Sequence, residues 1–256
     1  MKFWGSYLLF LAFCFRTELK KNHKLQKDAL FHMTVYSIHG SNSYWGKFVF
    51  PLASQMDHSH CKNPPKYWTL HGLWPDKAQM CNNSWPFEYS EIQDILPELN
   101  HYWPDILHPN KSQLWKHEWQ KHGTCAASLE CLNTQHKYFS KGLELYTKVD
   151  LNSVLEKSGI VPSTKYYQIK DIENAIIGCF GVVPKIQCVP PHQGENVQTL
   201  GQIEICFTKE LQLRNCTEPV DESLLSLNDP LNWSYNDDLH VCDNSTNTLY
   251  PPVKEL

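Results

Sequence analysis

Ten cysteines in a chain of 256 residues restrict where this protein can fold. So many thiols persist in a cytosolic protein only where metal or catalysis explains them, and no C-x-x-C pair is present to suggest zinc. They read as disulfides formed on the secretory route. Five N-x-S/T sequons fit that route, at Asn82, Asn110, Asn215, Asn232 and Asn244, with Asn82, Asn110 and Asn215 the expected glycan acceptors. Lys2 precedes an apolar stretch from Tyr7 to Phe15 that suits a signal h-region and is too short to span a bilayer. Residues 1–19 are therefore expected to leave as a signal peptide, and no other segment is expected to enter a membrane.

Charge excludes one class of partner. The chain carries 23 Lys+Arg against 27 Asp+Glu, with only Arg16 and Arg214 among the arginines. No basic block could track a duplex, so any nucleic acid must meet a local site. Protonating all 13 histidines would move the net charge from −4 to +9, which makes the electrostatics depend on pH between about 5 and 8.

Periodicity supplies the fold class. Ser90 before Glu91, Ile92, Ile95 and Leu96 reads as a capped short helix, and Thr134 to Lys148 places Tyr138, Phe139, Leu143 and Tyr146 at helical spacing. A further helix over Leu151 to Lys157 stops at Gly159, and one carrying Ile172, Ala175 and Ile176 ends at Gly181 and Pro184. Downstream, Ile203, Ile205 and Phe207 alternate with Gln202, Glu204 and Cys206 as a half-buried strand, with Lys185 to Val189 its partner. Helices first and strands last make this an α+β chain.

Chemistry concentrates in two segments. In Trp115-Lys116-His117-Glu118-Trp119-Gln120-Lys121-His122-Gly123-Thr124-Cys125, a regular helix puts Lys121, Glu118 and His122 at about 40°, 100° and 140° from His117. Four ionisable groups then share a face, with Trp115 and Trp119 anchoring the other. The bland alternative is a solvated charged face over an aromatic seam. His117-Glu118 begins like H-E-x-x-H, but the second histidine comes five residues on, so the two imidazoles are expected to diverge and to hold no metal. No G-x-S-x-G is present, and Cys125 reads as a disulfide partner. General acid/base chemistry beside a fixed cation remains. The other segment, Trp68-Thr69-Leu70-His71-Gly72-Leu73-Trp74-Pro75-Asp76, puts a histidine after a strand-like run and before a turn carrying an indole and a carboxylate. Such a turn offers stacking on Trp74 and base-edge acceptance by Asp76, as single-stranded RNA is often held.

His71-Gly72-Leu73-Trp74-Pro75 and His117 through Cys125 resemble the two active-site segments of the ribonuclease T2 family. The similarity extends from about Cys61 to Pro252, including Tyr102-Trp103-Pro104-Asp105. It implies an α+β fold, an antiparallel sheet core with helices packed to one side, in one domain over 61–256. It further implies an acid-active endoribonuclease that uses no metal or cofactor and cleaves single-stranded RNA through a 2′,3′-cyclic phosphate. Carried over residue by residue, His122 is the base, His71 the acid, Lys121 with Glu118 stabilises the phosphorane, His117 contacts phosphate, and Trp74 and Asp76 bind a base. The implied disulfides are Cys81 to Cys125, Cys188 to Cys242 and Cys206 to Cys216, which leaves Cys61, Cys131 and Cys179 over once Cys14 departs with the signal peptide. A monomer, secreted or lysosomal, follows from the same resemblance, with the ER lumen suggested by the terminal Val253-Lys254-Glu255-Leu256. Residues 20–60 depart from the pattern. Tyr44-Trp45-Gly46-Lys47-Phe48-Val49-Phe50-Pro51 has neither the Gln-Trp-Pro-like strand end nor the cysteine that would pair with Cys61, so an altered core strand is expected. The rival reading is a catalytically weak secreted glycoprotein that binds a partner.

Overall fold

The computed structural model describes residues 31–36, 65–76, 78–105, 111–191, 194–216 and 239–252. The signal segment, Cys61, Asn110, Asn232 and the C-terminal tetrapeptide lie outside the described residues.

Strand β1 (Phe31–Tyr36) is followed by β2 (Thr69–Pro75) and a 3-10 turn over Tyr89–Ile95 that runs into helix α1 (Leu96–Tyr102). Helix α2 starts at Gln113–Glu118, passes through a π-helical stretch at Trp119–Gly123 and closes with Thr124–Ala126. Next come α3 (Gln135–Val149), α4 (Leu151–Lys157), the short β3 (Tyr166–Tyr167) and α5 (Ile169–Phe180). Strands β4 (Lys185–Val189), β5 (Val197–Phe207), β6 (Leu213–Arg214), β7 (His240–Val241) and β8 (Asn247–Leu249) complete the fold. The sheet runs β2-β1-β5-β4-β7, with β6 and β8 also on β5 and β3 on β8. All pairs are antiparallel except β5 with β8. The chain is thus α+β, its sheet antiparallel apart from that one pairing.

Local chemistry explains most of the boundaries. Thr134 caps α3 by accepting from the Lys137 N–H, and the Asp150 side chain caps α4 by accepting from Ser153. Gly159 and Gly181 sit at φ +74° and +70° where α4 and α5 end. Ser90 does not cap: it lies inside the 3-10 turn, whose first residue follows an extended Glu88 with no side-chain cap.

The N-terminal segment supplies a central strand, Phe31–Tyr36, paired to both β2 and β5, while residues 44–51, on which the expectation of an altered strand rests, lie outside the described residues. Ladder pairing uses only backbone groups, and Phe, Thr, Val and Tyr favour the extended state. One expectation needs correction: strand β5 is not half-buried over Gln202 to Phe207. Its polar face is as dry as its apolar one, with Gln202, Glu204 and Cys206 buried beside Ile203, Ile205 and Phe207.

Strand β2 lies at one end of the strand order, and side chains take the place of a further strand there. The Trp68 carbonyl accepts from Tyr146, the His71 carbonyl from the Trp103 indole at 2.6 Å and the Leu73 carbonyl from Tyr138 at 3.0 Å. Buried backbone acceptors must be paired, so these donors from α1's end and α3 both fix β2 and close its edge. Gly142 admits Trp103 to that position, since a Cβ there would lie 2.6 Å from the indole.

Candidate active site

Two elements build the site: β2, which carries His71, Gly72 and Trp74, and α2, which carries His117, Glu118, Lys121 and His122. Helix α2 is tied at its start by Asp105, which accepts from the Leu114 N–H at 3.0 Å, and by the Trp115 indole, which donates to the Trp103 carbonyl at 2.8 Å. The disulfide Cys81–Cys125 ties its end to the chain after β2, where the Met80 N–H also donates to the Lys121 carbonyl at 2.9 Å. The other disulfides among the described residues, Cys188–Cys242 and Cys206–Cys216, tie β4 and β5 to later parts of the chain. Cys131 is an exposed thiol.

The π-helical stretch corrects the geometry drawn from a regular helix. In a π turn residues five apart come into register. His117 and His122 therefore face each other, ring centroids 6.4 Å apart, instead of diverging. Donor atoms of His117, Glu118 and His122 lie within 4.8 Å of one another, all three side chains buried. That is a spacing a cation could bridge, but a metal would have to displace the proton that burial keeps on Glu118.

Glu118 is the centre of the arrangement. Its carboxyl is fully buried (0% exposed), accepts from the Trp74 indole at 2.6 Å through Oε2, and places Oε1 3.8 Å from His71 Nε2. Burial pushes Glu118 up to about 8, against the pull of the Trp74 hydrogen bond and the Lys121 ammonium. The same burial pushes His71 down to about 3; a hydrogen bond to the Gln202 amide oxygen opposes this, while His117 and Lys121 add to it. A neutral carboxyl is thus set beside the Lys121 ammonium and imidazoles, where it can donate to an incoming anion without repelling it.

The two shifts predict a stability profile. Between about 4.5, its ordinary value, and 8, Glu118 is ionised in the unfolded chain and neutral in the folded one, so stability falls as pH rises. Between about 3 and its ordinary 6.5, His71 is charged in the unfolded chain and neutral in the folded one, so stability falls as pH drops. The slopes cancel between about 4.5 and 6.5, leaving a plateau with a decline on each side. Melting midpoints measured across this range should show it, and Glu118→Gln should flatten the alkaline decline. A wild-type midpoint that rises on the alkaline side would contradict these proton positions.

Trp74 and Asp76, expected to bind a base, both have partners within the protein. Trp74 is 8% exposed, stacks on His122 (centroids 4.8 Å, 22°) and meets His71 edge-on (4.8 Å, 77°). It lies between the two imidazoles. Asp76 is held by Arg214 at 3.1 Å, and that guanidinium also donates to the Phe207 and Asn215 carbonyls. Moreover, His71 and Trp74 belong to the strand itself: β2 continues through Pro75, so the turn begins only at Asp76.

Gly72 is required by this packing. A Cβ there would lie 2.0 Å from Trp74 Nε1 and 2.3 Å from Glu118 Oε2. Gly123 plays the same part for Trp119, whose ring would lie 2.3 Å from an added Cβ. Gln202 was not singled out by the sequence: its Oε1 lies 3.4 Å from His71 Nδ1. Its signal was an amide on a strand face that reads as solvent-facing only while nothing is known to cover it.

Comparison with known proteins agrees with this architecture. The model of the Ribonuclease T2 family matches residues 44–216, beginning inside the segment expected to be divergent. The human protein Ribonuclease T2 is 54% identical over 203 residues, covering 76% of this chain and 78% of its own. The pig (Sus scrofa) Ribonuclease T2 is 53% identical over 199 residues, covering 77% and 90%. The crystal structure of human RNase T2 superposes with a TM-score of 0.69 at 46% identity, over 88% of this chain and all of that one. With the match extending through both active-site segments, this chain belongs to the ribonuclease T2 family.

Proposed function

We propose that the protein cleaves single-stranded RNA by acid/base transphosphorylation at the β2–α2 site. As a T2-family member it is a T2-type endoribonuclease; the roles of its residues are inferred from their geometry and from the family resemblance. The observation that carries the reading is the Trp74–Glu118 unit, with His122 stacked on the indole face and His71 at its edge. One rigid plane thereby spaces two imidazoles, which is what a reaction needing a proton taken and a proton given requires.

His122 takes the proton of the ribose 2′-hydroxyl as that oxygen attacks phosphorus. His71 gives a proton to the 5′-oxygen as the P–O5′ bond breaks, leaving a 2′,3′-cyclic phosphate. Water can then open the cyclic ester with the two roles exchanged. Lys121 and the neutral Glu118 carboxyl face charge that grows on the phosphoryl oxygens, and His117 contacts the same group. A depressed His71 must be charged to act as the acid, so its active fraction grows as pH falls toward about 3. A bound phosphodiester anion shifts that equilibrium upward. The depression favours acidic pH, and the bound anion extends the active range upward from it.

Three disulfides support passage through the secretory pathway, with secretion or the lysosome as its end. Among the described residues no helix is long and apolar enough to cross a membrane.

Incubating the purified protein with single-stranded RNA at about pH 5 in EDTA tests the reaction. New 2′,3′-cyclic phosphate ends are expected, undiminished by the chelator. Loss of cleavage in EDTA, or 3′-hydroxyl products, would overturn the proposal.

A further inference from the structure

Behind His71, away from Glu118, a row of polar side chains crosses the covered face of the sheet. Gln202 Oε1 lies 3.4 Å from His71 Nδ1, and the Gln202 amide nitrogen reaches Gln187 Oε1 at 2.5 Å and Glu204 Oε1 at 3.4 Å. Lys185 Nζ completes the row 3.2 Å from Glu204 Oε1. The ladder puts Lys185 directly opposite Glu204 and Gln187 directly opposite Gln202. Gln202 is 1% exposed and the Lys185 side chain 12%. Burying an ion pair and two amides costs desolvation, so a row of this kind calls for a role.

Its polarity is determined at one end. A carboxylate ion-paired to lysine only accepts hydrogen bonds, so Glu204 obliges Gln202 to present its NH₂ group. Gln187 could match either amide orientation, but Glu204 could not. The Gln202 carbonyl oxygen must therefore face His71, and an oxygen facing a neutral imidazole calls for a proton on the near nitrogen. We propose that Gln202, oriented by the Lys185–Glu204 pair, is a positioning residue that fixes His71 as the Nδ1–H tautomer. Nε2 is then the nitrogen that exchanges its proton with the reacting oxygens.

The inference rests on the reading of His71 as the acid. It adds which nitrogen acts and what selects it. Among the described residues, the groups near the ring include Glu118, His117 and Lys121 from α2 and the Trp74 edge from its own strand. The Glu118 contact falls on Nε2, so Gln202 and Glu118 meet opposite nitrogens of the ring.

The test uses protein labelled with ¹⁵N-histidine. At neutral pH, two-bond ¹H–¹⁵N correlations read the tautomer of each neutral ring, and the His71 signals are those lost in His71→Ala. Wild type is expected as Nδ1–H. Gln202→Met should lose that preference and lower kcat by ~10–100-fold, by analogy with the loss of a partner that orients a metal-bound histidine, with KM within about twofold. Gln202→Glu keeps a carbonyl oxygen toward the ring once its carboxyl is protonated, so it should restore the Nδ1–H form and most of kcat. A wild-type His71 found as Nε2–H overturns the proposal without any variant having to fold. So does a Gln202→Met protein that keeps both tautomer and rate while His71→Ala is inactive. An active His71→Ala protein would instead overturn the acid assignment, whatever the tautomer.

Discussion

His122→Ala and His71→Ala are each expected to lower kcat/KM on single-stranded RNA by ~10²–10⁴-fold, the range that one positioned acid or base contributes. The losses arise from different halves of the reaction. Without His122, the 2′-hydroxyl attacks carrying its proton, and the indole of Trp74 also loses the ring stacked on it. Without His71, the 5′-oxygen must leave as an alkoxide. Both histidines are buried, so melting midpoints and near-ultraviolet spectra should accompany the kinetics, with rates normalised to folded protein. Folded variants within about threefold of wild type would remove the residue concerned from the mechanism.

Gly72→Ala should have an effect of similar size although it removes no functional group. The added methyl would sit 2.0 Å from the Trp74 indole nitrogen and 2.3 Å from a Glu118 oxygen. Neither atom can yield cheaply, because they are hydrogen-bonded to each other in a dry interior. Overpacking of this kind costs roughly 1–3 kcal/mol. Displacing the unit by about 1 Å would also misplace both imidazoles and cost on the order of 10²-fold in turnover. Calorimetry and kcat measured on the same preparation would separate the two. A variant with wild-type turnover would show that the Trp74–Glu118 unit does not hold the histidines in place.

Much of the fold is legible in the sequence wherever a local rule acts alone. Thr134 caps its helix, Gly159 and Gly181 end theirs, and the alternation at Ile203 to Phe207 identifies a strand. What escapes depends on partners far along the chain. Glu204 and Gln202 look solvated until the chain covers them, and Asp76 looks available until Arg214, 138 residues later, takes it. The same holds for Trp74: an indole beside a turn suggests stacking, whereas Glu118 claims its N–H. The two site segments stand out as sequences, but their geometry does not. A regular 100° step points His117 and His122 apart, and only the π stretch at Trp119–Gly123 brings them together. The central strand at Phe31–Tyr36 escapes for another reason, since ladder pairing needs backbone groups and no particular motif.

The division of labour between the two histidines is tested most directly by changing the leaving group. An RNA dinucleotide whose 5′-bridging oxygen is replaced by sulfur departs as a thiolate and needs little protonation. On this substrate His71→Ala should recover to near the wild-type rate, while His122→Ala should stay ~10²–10⁴-fold slow, because the 2′-hydroxyl must still lose its proton. Recovery of His122→Ala in place of His71→Ala, or of neither, would contradict the assignment of acid to His71 and base to His122.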